Sequence, residues 1–465
     1  MQLSNEEEDY NLSLSKFESM LKTNKVLFFD SEEFEEIILH YLDIGKANLA
    51  KKALKLALDQ HPKSTGLKLV QVEMLVYDDK LDIAEKLLNE LYAIEPNNEE
   101  IYIQKANICS KRDQHEKAVE LLKIALQYTD DFADVYNLIG MEYLFMDNLE
   151  MAKDSFIKCL EEDLEDQSAL YNVVYCFEFL DQNQEAIVYL NDYINKNPYS
   201  EIAWHQLGRL HYGIKEYENA IRAFDYATLI DEEFLGAFME KAKAYERLKK
   251  YTQAIESYNR TIELDDATSY ALLRIGKCYE KLGNNVLALK YYNQTVHEDP
   301  LLDKGWIAIT DFYVRQKNFQ KALFFVNKAL AIDNQNRLYW KRYATINKQM
   351  NFFEEAEFGY RKAVEFGDYA LDTWLFWVDI LQFLGEFDSA IQTLLQASEY
   401  FPEENELEYR LAGLYFMIQD NTKAKFHLSN GLRLNFDNYI LIEDLFPVVW
   451  TKKMVQNYIE KHRKE

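Results

Sequence analysis

Apolar positions recur along this chain with one long period. Stepping by 34 residues from Ala50 reaches Ala84, Ala118, Ala152, Ala186, Ala220, Ala254, Ala288, Ala322, Ala356, Ala390 and Ala424, an alanine at twelve successive registers. Four residues after each stands a larger apolar side chain: Leu54, Leu88, Leu122, Phe156, Leu190, Phe224, Tyr258, Tyr292, Val326, Tyr360, Leu394 and Leu428. Four residues is one helical turn, so alanine and apolar residue share a helix face. With that alanine numbered 20 in each unit, position 8 is Gly or Ala in seven units (Ala106, Gly140, Gly208, Ala242, Gly276, Ala344, Ala412). Position 11 is commonly aromatic (Tyr41, Tyr143, Phe177, Tyr245, Tyr279, Tyr313, Tyr415). The pattern predicts two helices per unit, the first carrying large residues at 4, 7 and 11 and a small one at 8. It can then lie close against a second helix whose own small residue is at 20.

Pro62, Pro96, Pro198, Pro300 and Pro402 are also separated by multiples of 34 and mark the end of a unit. This 34-residue pattern resembles the tetratricopeptide repeat, a helix-turn-helix unit with W, L, G, Y, then A, F, A, P at fixed positions. Repeat six carries it most fully, with Trp204, Leu207, Gly208, His211, Ala220, Phe224 and Ala227. The resemblance implies an all-α, right-handed solenoid of about twelve repeats over residues 31–438. Residues 1–30 are then an acidic segment with a capping helix, suggested by Leu14, Phe17 and Leu21. Residues 439–465 form a second cap, read as one helix from Val448, Val449, Met454, Val455 and Tyr458, with Pro447 in its first turn and Lys461, Arg463 and Lys464 at its end. Val72 and Val174 at position 8, Asn347 at position 11 and Glu408 at position 4 depart from the pattern and predict less regular packing there.

Composition narrows the function. The 465 residues include only 14 Gly and 6 Pro and no linker-like tract, which favours a repeat array over several separate domains. Cys109, Cys159, Cys176 and Cys278 have no metal-ligand spacing and read as reduced, small apolar fillers. No signal peptide and no membrane-length apolar run stands in the sequence, so a soluble cytoplasmic protein is expected. The abundance of Tyr, Asn, Lys and Ile with few Pro points to an AT-rich bacterial genome. A net charge of −27 makes nucleic acid a poor partner. Phosphate-loop, GxSxG and HExxH motifs are absent, and neither a cofactor nor a metal is implied. His205 and His211 stand on different helix faces, and Trp204, Gly208 and His211 fall on packing positions, so no enzyme is expected.

In the related repeats the first helix lines a concave groove. If positions 4, 7, 8 and 11 pack, the opposite stripe is 2, 5, 6, 9, 12 and 13. That stripe sums to −7 over repeats one to five and to +7 over repeats six to ten. Its candidate partner-binding residues are His205, Arg209, Tyr212, Lys243, Arg247, Arg274, Lys277, Lys281, Arg315, Lys341 and Arg342. Such cations suit an acidic peptide or protein surface, and the expected function is a non-enzymatic interaction scaffold. The plainer account is local ion pairing, as between Glu240 and Lys243 or Lys277 and Glu280. The carboxylate clamp that some relatives use for chaperone tails is not matched, since Thr345 and Phe376 occupy two of its slots beside Lys341. Self-association, with the acidic stripe of repeats one to five or the acidic outer wall docking into the basic stripe of another copy, is the second functional reading, and a ligand sensor or enzyme built from residues such as His205, Arg209 and Tyr212 is the third.

Overall fold

The computed structural model describes residues 13–22, 27–264 and 268–463. They are helical hairpins in tandem. A helix over 13–22 precedes the pair Ser31–Asp43 and Ala47–Gln60, and pairs then follow at the 34-residue interval. Repeat six is Glu201–Gly213 with Tyr217–Ile230, and repeat twelve is Asn405–Met417 with Asn421–Leu434. The chain divides into two compact units, Met1–Glu232 and Glu233–Glu465. In both, the first helix of a repeat packs on its own second helix, and that second helix packs on the first helix of the next repeat.

The period has a steric origin. Each of the twelve alanines at position 20 is wholly buried, and every residue at position 24 is buried too. Gly140, Gly208 and Gly276 at position 8 lie directly beneath the rings of Phe156, Phe224 and Tyr292 at position 24. A methyl group on any of the three would come within 2.5–2.6 Å of ring carbon. Where position 8 is Val (Val72, Val174, Val378), position 24 is Leu (Leu88, Leu190, Leu394), and where it is Thr310, position 24 is Val326. The irregularity expected at Val72 and Val174 is present: the two helices of these repeats approach each other closely over less of their length than in the glycine and alanine repeats, although both valines are accommodated in the core. Asn347 is likewise accommodated at position 11, where its side-chain amide donates to the Tyr343 carbonyl at 2.9 Å.

The turn inside each hairpin is a second constant, which the hydrophobic pattern did not reveal. The residue at position 15 is left-handed in all twelve repeats, with φ of 56–67° at nine non-glycine residues and glycine only at Gly45, Gly283 and Gly385. The next N–H always donates to the carbonyl of position 11, as in Lys250 N to Tyr245 O (2.9 Å) and Asn284 N to Tyr279 O (2.9 Å). This is the Schellman closure of a helix C-terminus. Between repeats, aromatic residues at position 4 tie down the preceding turn. The indoles of Trp204, Trp306 and Trp340 donate to the carbonyls of Pro198, Pro300 and Asn334 at 2.8–3.0 Å, and the Tyr102 hydroxyl donates to that of Pro96 at 2.8 Å.

At the N-terminal end Phe17 and Met20 are buried against Phe34, Ile37 and Tyr41, while Leu14 and Leu21 lie at the edge of the same cluster. Residues 1–12 lie outside the described residues. At the C-terminal end the expected single helix is broken. A short turn, Pro447–Trp450, has Pro447 at its start, and a separate helix, Lys453–His462, follows. Val449, Val455 and Ile459 are buried with Phe446 and Leu428, whereas Val448 and Met454 are exposed. The bend lets both segments turn an apolar side chain inward, which one straight helix would not. Lys461 sits in the last turn and Arg463 caps it; Lys464 lies outside the described residues.

Gly208→Val is expected to lower stability by about 1–3 kcal/mol through overpacking against Phe224. Adding Phe224→Leu, the pairing repeat five already uses, should recover at least half of that loss in urea-unfolding midpoints. Lys249→Gly, at an exposed left-handed position, should raise stability by about 0.5–1 kcal/mol in the same measurement.

Candidate functional site

The inner stripe is only partly open. Leu69, Ile103, Gln104, Gln206, Leu273, Ile307 and Ala308, at stripe positions 5 and 6, are buried. First helices of several successive repeats also touch one another, so part of the stripe is interface.

The eleven candidates divide between the two units. His205, Arg209 and Tyr212 belong to the first; the other eight belong to the second. Most of the cations are tied to acids of a neighbouring repeat. Arg274 makes a two-pronged contact with Glu246 (Nε to Oε1 2.8 Å, Nη2 to Oε2 2.7 Å), and the Tyr258 hydroxyl donates to the same carboxylate at 2.7 Å. Arg342 grips Asp311 in the same way at 2.8 and 3.1 Å. Arg315 pairs with Glu280, which also accepts from the Tyr292 hydroxyl at 2.6 Å. Lys341 pairs with Asp372 at 2.8 Å, and Arg209 approaches Glu178 at 3.7 Å. Arg410, outside the predicted set, repeats the motif with Asp379 at 2.6 Å. The cation ladder is thus in large part a ladder of inter-repeat ion pairs, with the acid about one repeat away along the chain. Glu280 illustrates the difference from the local pairing considered above: its partner is Arg315 rather than Lys277.

Burial alone would depress the Arg274 guanidinium, but Tyr258 and Glu246 beside it reverse this and hold it firmly charged. Burial and the adjoining Glu246 carboxylate push the Tyr258 hydroxyl up. Both groups therefore stay in the protonation states that make the network.

Among the described residues the candidates Lys243, Lys277 and Lys281 take part in no ion pair, and Lys277 and Lys281 stand together. They line an open recess of about 450 Å³ with Arg247, Arg274, Arg315, Tyr251 and the acids Glu246, Glu280 and Asp311. Burial and the nearby Arg274 charge lower the Lys277 ammonium below its ordinary range. Beside this recess Lys243 lies over the Tyr270 ring at 5.8 Å.

The first unit's inner face carries the opposite sign. Glu73 and Lys111 line a recess of about 750 Å³ with Gln104, Asn107, Asp113, His115, Tyr77 and Phe145. Burial, then the Glu100 and Asp43 charges, raise the Glu73 carboxyl. Burial also raises Glu100 against the lowering effect of a hydrogen bond from Gln104, with the Asp134 and Glu99 charges adding to the rise, and it raises Asp134 beside Asp131 and Asp166.

Models of the tetratricopeptide repeat match residues 75–141, 133–166, 205–268 and 239–302. The matched residues are tetratricopeptide repeats. A curated relative is anaphase-promoting complex subunit 3 of Schizosaccharomyces pombe, 25% identical over 157 residues, which are 34% of this chain and 24% of the relative. The chain thus matches about a quarter of that relative's length. Among solved structures, a tetratricopeptide repeat protein from Parabacteroides merdae is 14% identical, covering 53% of this chain and 97% of its own with a TM-score of 0.40. The C-terminal part of a repeat-containing protein from Cytophaga hutchinsonii is 15% identical, covering 59% and 98% with a TM-score of 0.39.

The repeat explains the residues that looked chemical. Trp204 supports the preceding turn, and the His211 ring pairs with Glu216 at 2.9 Å. His205 lies 5.8 Å from the Phe224 ring, against the packing face of its own repeat. Among the described residues no cluster of three or more metal-ligating side chains exists, and no helix is long and apolar enough to cross a membrane.

A carboxyl raised by folding favours the folded state below its folded pKa, and that stability is lost as pH rises through it. Glu73→Gln combined with Glu100→Gln is therefore expected to raise the melting temperature at pH 7. The gain should shrink steadily as the pH falls towards 4.5 and the wild-type acids take up protons; a gain independent of pH would contradict this origin.

Proposed function

We propose that this chain is a non-enzymatic, cytoplasmic interaction scaffold whose second unit binds an acidic peptide or acidic protein surface in its inner recess. Tetratricopeptide-repeat proteins mediate protein–protein contacts, which supports the general role. The observation that carries the specific reading is the unpaired couple Lys277 and Lys281. In a chain of net charge −27 they stand in a recess lined by five cations and three acids. The neighbouring arginines are already committed to Glu246 and Glu280, so they supply positive potential and shape while the two lysines supply free N–H donors. Lys277 has lost part of its hydration without gaining a partner, and a carboxylate entering the recess relieves that.

The test is fluorescence polarisation with a labelled Glu–Gly repeat peptide at low salt. Binding should weaken roughly tenfold or more in Lys277→Glu/Lys281→Glu. Arg274 is unsuited to this experiment, because its replacement strands Glu246 and Tyr258. Equal affinity of wild type and variant would leave the two lysines as solvated surface and overturn the assignment.

A further inference from the structure

The inner face of the first unit differs from that of the second in more than sign. In the second unit the stripe acids Glu246, Glu280 and Asp311 are each paired with an arginine. In the first, among the described residues, Glu35, Glu73, Glu100 and Asp134 take part in no ion pair. Lys111 is the one cation at the stripe positions of repeats one to five.

Three further features accompany these acids. The first is the recess of about 750 Å³, where Glu73 and Gln104 stand together. The second is Gln104 itself, only 5% exposed. Its Nε2 donates to Glu100 at 2.8 Å, while its Oε1 has no partner. A buried acceptor left open is a cost that a donor from a ligand removes. The third is aromatic. Tyr77 and Phe145 line the same recess and are 79% and 59% exposed, and Phe145 is held in place by stacking on His115 at 5.3 Å. Along the first helix of repeat five, Tyr171, Tyr175 and Phe179 stand at successive turns of the same stripe, all exposed.

Unpaired carboxylates, an unfilled amide acceptor and exposed ring faces share one complementary chemistry. Each prefers a cation with N–H donors, and the rings add cation–π attraction where that cation keeps its hydrogen bonds to the acids. We propose that the inner face of the first unit, centred on Glu73, Glu100, Gln104, Tyr77 and Phe145, binds an extended basic peptide segment rich in Arg or Lys. The proposal is independent of the acidic-ligand reading of the second unit. Together they make the chain an adaptor for two partners of opposite charge. Mutual repulsion among the acids, raised by burial in the empty face, is relieved when a guanidinium or ammonium enters.

The experiment is polarisation of a labelled Arg–Gly repeat peptide with the full chain at low salt. Wild type should bind, and both Glu73→Gln/Glu100→Gln and Tyr77→Ala/Phe145→Ala should weaken binding roughly tenfold. Glu161→Gln/Glu162→Gln, which removes the same charge from an exposed second helix, should change it less than about twofold. Circular dichroism of each variant confirms that it is folded, and Gln104→Leu, which removes the open acceptor and leaves the charge untouched, should also weaken binding. No binding by wild type overturns the proposal, as does equal loss in the Glu161/Glu162 variant, which would mean unspecific attraction to an acidic chain. A doubling of mass by light scattering at low salt that Lys277→Glu/Lys281→Glu abolishes would give this face to a second copy and overturn it too.

Discussion

Everything in this chain depends on how closely two helices of one hairpin approach. The approach is set by an alanine without exposed surface at position 20 and by a shared volume between positions 8 and 24. A glycine meets an aromatic ring, an alanine meets a leucine or tyrosine, and a valine meets a leucine. Neither position is constant, and where position 8 is Val or Ile the two helices approach less closely than where it is Gly or Ala. Protein interiors have close to crystalline density, so the pair must change together or the hairpin opens. Hairpin spacing matters because each repeat buries its apolar face against its neighbours, so the separation in one repeat bears on the next.

The turn at position 15 serves the same regularity by a different means. Nine non-glycine residues hold a left-handed conformation there, each sacrificing a little conformational energy. The twelve identical hydrogen bonds from position 16 to position 11 show what this secures: every first helix ends at the same depth, and its second helix starts in the same direction.

On this scaffold the inner faces have diverged. In the second unit, arginines reach across to acids of the preceding repeat, with tyrosine hydroxyls from position 24 completing two of the networks. These pairs are half-buried, so breaking one strands its partner, and they belong to the architecture as much as to any ligand. In the first unit Glu35, Glu73, Glu100 and Asp134 take part in no ion pair among the described residues, and Tyr77 and Phe145 are exposed.

How much of this was legible follows from the range of each interaction. The 34-residue period, the helix pairs, the buried alanines and the opposite signs of the two stripes are local or periodic properties and could be counted from residues alone. The departures Val72 and Val174 were equally present in the letters, and the hairpins that carry them are the looser ones. The left-handed turn escaped because Asp, Lys, Asn and Gln fill most of its positions and only three glycines announce it. What the letters could not decide was which cations are spoken for. Arg274 with Glu246 and Arg342 with Asp311 are 28 and 31 residues apart, and their pairing depends on first helices lying side by side. Periodicity determined where each side chain sits on its helix. Only the tertiary structure, by setting the distance between neighbouring helices, decided whether a charge meets its opposite or is left facing the groove.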